Sequence, residues 1–78
     1  MAKFKLGEIV QLRSGGPEMT VINVIDIENP GQWKMAAMQW KKENPAVSFW
    51  YQTQWFEGTA LKKEFFIEEA LDSAEEII

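Results

Sequence analysis

Residues 14–21 read Ser-Gly-Gly-Pro-Glu-Met-Thr-Val, and the role of the glycine pair in this stretch decides the fold. A glycine pair can cradle a phosphate or turn one strand into the next. The phosphate reading requires a G-x-x-x-x-G-K-[ST] pattern opening a helix. Here Pro17, Glu18 and a β-branched run follow instead. The turn reading needs only a backbone that accepts positive φ at little steric cost, which glycine provides, and a proline that presets its own φ. Gly15, Gly16 and Pro17 are therefore assigned to a structural turn joining two strands that pair antiparallel.

The flanking segments agree. Glu8–Arg13, EIVQLR, alternates with a period of two, and 19–27, MTVINVIDI, is rich in β-branched residues. Met19 and Val21 share one face of the second run, and Ile22 and Val24 join the core if the strand bends or bulges. The stretch 46–56, AVSFWYQTQWF, places Val47, Phe49, Tyr51 and Trp55 on one face and Trp50 and Phe56 on the other. Residues 57–59 turn this strand into a fourth, LKKEFFI at 61–67, and EEALDS at 68–73 suits a helical turn that returns Leu71 to the core. The predicted core is Val10, Leu12, Met19, Val21, Phe49, Trp55, Phe66 and Leu71.

Four to five short antiparallel strands in 78 residues predict a mainly β fold, a small barrel or rolled sheet. One domain spans 1–78, with an inserted segment at 28–45 and an acidic tail at 72–78. A chain this short buries about 60% of its unfolded surface. With no cysteine, its core depends on packing rather than on disulfides or a zinc knuckle.

The insertion, IENPGQWKMAAMQWKKENP (27–45), reads as a helix over about 30–43, with a strand as the alternative because Trp33-x-Met35-x-Ala37 also alternates. Asn29 is the expected N-cap, with Gln32 three residues on and Pro30 at the first helical position, and Asn44-Pro45 supplies a stop. Lys41 and Lys42 fall where a helix C-terminus favours cations. Trp33, Ala36 or Ala37, and Trp40 recur at helical spacing, with Met35 and Met38 on a neighbouring stripe. Two readings follow. In one, Trp33 and Trp40 lie against the barrel and close one end. In the other, the face carrying Trp33, Met35, Met38 and Trp40 docks a protein partner or a second copy of the chain, since aromatic residues and methionine are enriched in interface cores. Attachment to a membrane surface would have only Lys34, Lys41 and Lys42 to face anionic lipid.

Residues 4–24, FKLGEIVQLRSGGPEMTVINV, resemble the opening of the YodC-like family of small uncharacterised bacterial proteins. Phe4, Gly7, Val10, Leu12, Arg13, Ser14, Gly15, Gly16, Pro17, Met19, Thr20 and Val21 fall on that family's pattern, and QWFEG (54–58) and FIEEAL (66–71) resemble its second half. Ile67 stands where the family has a proline. Relatives usually have a short link in place of the segment between Asp26 and Ala46. The resemblance implies an SH3-like barrel and carries no established activity.

Composition narrows the chemistry. The chain has no histidine and no cysteine, so Ser-His and Cys-His catalysis and the common zinc sites have no ligands or bases. No cofactor, metal or catalytic residue is expected. The carboxylates Glu68, Glu69, Asp72, Glu75 and Glu76 lack the glycine and alternating spacing of a calcium loop and read as a solvated face. Net charge is −4, with seven acids against two lysines in residues 57–78 and five acids against six basic residues in 1–56. That balance disfavours binding to duplex nucleic acid. A single-stranded nucleic-acid module would need Lys3, Lys5, Arg13, Lys62 and Lys63 on one side with Trp50 exposed beside them. A small acidic inhibitor of a basic enzyme site is a further alternative. No stretch reaches the ~20 apolar residues of a membrane span, and the N-terminal apolar run is too short for a secretory signal. The expectation is a cytoplasmic, non-enzymatic binding module.

Overall fold

Among the described residues, five antiparallel strands form one sheet and one α-helix covers part of one face. The computed structural model describes residues 2–74; Glu75 and Glu76 of the expected acidic tail lie outside them. In chain order the elements are β1 (Ile9–Leu12), β2 (Met19–Asp26), a 3-10 turn (Gly31–Trp33) running into α1 (Lys34–Glu43), β3 (Phe49–Glu57), β4 (Ala60–Ile67), a second 3-10 turn (Glu68–Ala70) and β5 (Leu71–Ser73). The strand order is β4-β3-β2-β1-β5. β5 returns to pair with β1, placing Leu12 opposite Leu71 and Val10 opposite Ser73. The sheet is open, with β4 and β5 as its edges among the described residues, whereas the family resemblance implies an SH3-like barrel. It also takes in Asp72 and Ser73, the first residues of the segment read as a tail.

The Ser14–Glu18 stretch is the turn between β1 and β2, which pair antiparallel with Val10 opposite Met19. Gly15 and Gly16 have φ of 102° and 116°, a region that L side chains rarely adopt. The Gly15 N–H closes the turn on the Leu12 carbonyl at 2.9 Å, and the Gln11 side-chain amide donates to the Gly16 carbonyl at 2.6 Å.

β2 carries a bulge. The register against β3 shifts between Val21 and Asn23, so Val21 lies opposite Thr53 and Val24 opposite Tyr51. One extra residue reverses the alternation. Val24 thereby faces the same side as Val21, while Ile25, opposite Trp50, turns to the other. Asn23 secures the shift by donating from Nδ2 to Gln52 Oε1 at 2.7 Å.

The two faces of the sheet hold different cores. On one, Phe4, Val10, Met19, Val21, Tyr51 and Leu71 are buried together, with Leu12, Val24, Phe49, Trp55 and Phe66 packed against them. All eight predicted core residues are in this cluster or against it. Phe4 and Tyr51, absent from the prediction, meet edge to face with ring centroids 5.3 Å apart. Thr53 is a buried polar residue here, its hydroxyl 3.4 Å from the Glu64 carbonyl and from Met19 Sδ. On the other face α1 lies over β3 and β4, where Ile25, Ile27 and Ala37 are also buried.

The helix begins differently from its sequence reading. Asn29 makes no side-chain cap. Pro30 occupies the N-cap of the 3-10 turn and Trp33 that of α1, and neither position has a side-chain cap hydrogen bond. The local carboxylate is spent one turn earlier, with Asp26 Oδ1 accepting from the Glu28 N–H at 2.9 Å. Gly31, at φ +60°, lets the chain reverse into the 3-10 turn. At the other end the expected stop holds: Asn44 leaves helical geometry while its N–H still donates to the Trp40 carbonyl at 2.8 Å.

Candidate functional site

α1 divides the four partner-binding candidates into two pairs. Trp33, Ala37 and Trp40 recur every three to four residues and share the inward face. Trp40 stacks on Trp50 of β3 with ring centroids 4.5 Å apart and an interplanar angle of 16°. Phe65 of β4 receives both helix indoles, Trp33 at 5.3 Å and Trp40 at 5.1 Å. The position of Phe65 opposite Gln52 places it on the same sheet face as Trp50. Such ring pairs add roughly 0.5–1.5 kcal/mol each beyond area burial, so this cluster fastens the helix to the sheet. The Trp50 indole N–H is buried within it with no hydrogen-bond partner among the described residues.

Met35 and Met38 point the other way and are 86% and 65% exposed. Beside them a groove of about 470 Å³ opens between α1 and the β2–α1 connection. Ile27, Pro30, Ala37 and Met38 supply its apolar surface, and Lys34 and Lys41 stand at its rim. A second, smaller hollow of about 220 Å³ lies across Met38, bounded by Met35, Gln39 and Lys42. Met38 is thus the ridge between two concavities. Lys41 Nζ lies 3.5 Å from Glu28 Oε2, both side chains largely exposed, and Gln39 donates to Glu43 at 3.1 Å.

Ile27 carries no signal of its own in the sequence. The nearest clue is Pro30-Gly31, which marks a chain reversal immediately before a helix and therefore a cleft between the two arms. Gly15, Gly16 and Pro17 sit at the opposite end of β2 from this groove and serve the turn. Chemically the site offers apolar area, a polarizable thioether ridge and cationic edges.

Folding alters the titration of Tyr51. Its hydroxyl donates to Glu68 Oε2 at 2.6 Å and accepts from the backbone N–H groups of Lys3 at 3.1 Å and Phe4 at 3.3 Å. The Lys3 N–H also reaches Glu68 Oε2 at 2.8 Å. Burial, and then the hydrogen bond to Glu68, push the phenol up to about 12. This network ties the N-terminal segment to the start of the second 3-10 turn and is structural.

The geometry defines a small open-sheet β protein with one helix strapped across the sheet by indole packing and a thioether ridge turned to solvent. The chain belongs to the family described as "Uncharacterized small protein (DUF2158)", whose model matches residues 5–71. Comparison with curated proteins and with solved structures gives no significant match. No helix of the described residues is long and apolar enough to cross a membrane.

Proposed function

We propose that the protein is a non-enzymatic binding module of the cytoplasm that docks a protein partner, another copy of itself included, on the outer face of α1. The observation that carries this reading is the exposure of Met35 and Met38 beside an apolar groove. Exposed thioethers are costly to leave in water and adapt to irregular partner surfaces. Trp33 and Trp40 act in this reading as the hidden support that holds the methionines in place.

The pairing of β5 back onto β1 is what an SH3-like barrel requires of its first and last strands, and we read the sheet as an opened form of that fold. The resemblance to YodC-like proteins across the Ser14–Val21 turn points the same way. The single-stranded nucleic-acid alternative asks for an exposed Trp50, whereas that indole is stacked under Trp40. An inhibitor working through its acidic end would use Glu69 and Asp72, which are exposed.

The test is capture by the immobilised chain from its native cell extract, compared with a Met35→Ser/Met38→Ser variant. Loss of bound proteins in a variant that melts at the wild-type temperature is the expected result. Equal capture by both would place the binding surface elsewhere.

A further inference from the structure

The groove beside α1 has an apolar floor and cationic edges, and the chain itself contains a segment of the opposite kind. The floor is Ile27, Pro30, Ala37 and Met38, with Lys34 and Lys41 at the rim. Residues 75–78 are Glu-Glu-Ile-Ile, two acids followed by two large apolar side chains. We propose that the groove takes residues 75–78 of a second copy, with Ile77 and Ile78 on the floor and Glu75 and Glu76 against Lys34 and Lys41. This deepens the docking role of the α1 outer face and rests on it.

Two observations choose this occupant. The first is charge: Lys34, Lys41 and Lys42 flank the Met38 ridge, and only Lys41 has an ion-pair partner among the described residues, Glu28. An anionic, apolar segment meets both demands, attraction at the rim and burial of the floor. The second is reach. β5 and β2 both run antiparallel to β1, so the chain leaves β5 heading in the direction of the C-terminal end of β2. The Ala74 N–H bonds to the Ile9 carbonyl, and Ile9 lies opposite Thr20. From that level to Ile27 the sheet rises about 20 Å, whereas four extended residues span at most about 14 Å. Four residues are too few to bridge that distance within one chain, a limit that residues 75–78 of a neighbour do not meet.

Sedimentation of the full chain over a range of concentrations, together with fluorescence anisotropy of a labelled peptide of residues 72–78, tests this. The receptor for the peptide is a full-length Ile77→Ser/Ile78→Ser variant, whose own tail is disabled. The wild-type chain should self-associate and that variant should sediment as a monomer. The peptide should bind the variant and lose at least tenfold in affinity when Lys34→Glu is added. A peptide with both glutamates changed to lysine should recover binding to the Lys34→Glu form. A wild-type chain that stays monomeric across the concentration range while the peptide binds would overturn the second copy as the occupant. Absence of peptide binding, or binding indifferent to Lys34→Glu, would overturn the assignment of residues 75–78. If the tail variant still captures partners in a manner that needs Met35 and Met38, the docking face stands and this occupant falls. Retention of the tail variant on phosphatidylserine vesicles in place of peptide binding would make the ligand a lipid surface and overturn the proposal.

Discussion

The Tyr51 hydroxyl donates to Glu68 Oε2 at 2.6 Å, joining the middle of the sheet to the turn that precedes its last strand. Because the same hydroxyl accepts from the N–H groups of Lys3 and Phe4, one phenol holds the N-terminal segment over the core. Phe4, fully buried on the Tyr51 ring, depends on that hold.

This relationship makes stability sensitive to alkali. Folding raises the Tyr51 pKa from 10.0 to about 12, through burial first and the Glu68 bond second. The unfolded chain therefore loses its phenolic proton at lower pH than the folded one, and stability falls with rising pH across that interval. The contribution is intact below pH 10 and lost between 10 and 12. Melting temperatures from pH 8 to 12 should show this decline, and Tyr51→Phe should remove the Tyr51 part of it while costing about 1–2 kcal/mol at neutral pH.

Trp40 is expected to behave as a core residue. It stacks on Trp50 and meets Phe65, so Trp40→Ala should cost about 3 kcal/mol, the low end for large aromatic truncations. Met35→Ser, on the exposed side of the same helix, should stay within about 0.5 kcal/mol of wild type. Urea denaturation of the two variants measures the contrast. Equal effects would mean that the helix is not fastened by its indoles.

Gly15 tests backbone conformation apart from packing. A Cβ added there meets nothing within 4 Å, yet its φ is +102°. Gly15→Val should destabilise by about 1–3 kcal/mol through strain alone. A D-alanine placed at the same position by chemical synthesis should be tolerated, because its mirror-image preference suits positive φ. If both substitutions destabilise alike, strain is not the cause.

Thr53 is buried with only long contacts, 3.4 Å to the Glu64 carbonyl and to Met19 Sδ. Hydrogen bonds of that length return little of the cost of burying a hydroxyl. Thr53→Val should therefore lie within about 1 kcal/mol of wild type or stabilise, as read from thermal melts.

The strands were legible because their signals are local. Gly15-Gly16-Pro17 between two alternating runs specifies a turn from backbone sterics alone, and the eight residues chosen for the core all lie in one cluster or against it. The helix was legible from the spacing of Trp33, Ala37 and Trp40, although its Asn29 cap was not realised, because Asp26 and Pro30 organise that turn instead. What sequence periodicity cannot contain is which side of a helix meets the sheet when both sides carry large apolar residues. That choice was made by Trp50 and Phe65, residues remote in sequence, which β3–β4 pairing places on one face to receive the indoles and leave the methionines in water. Phe4 was hidden for the same reason: its burial depends on Tyr51, 47 positions away, and a long-range contact of that kind exists only once the sheet has formed. Composition and local spacing thus determined the elements and the chemistries that lack their residues, while the bulge in β2, the open edge of the sheet and the outward face of α1 were decided by pairing between distant segments.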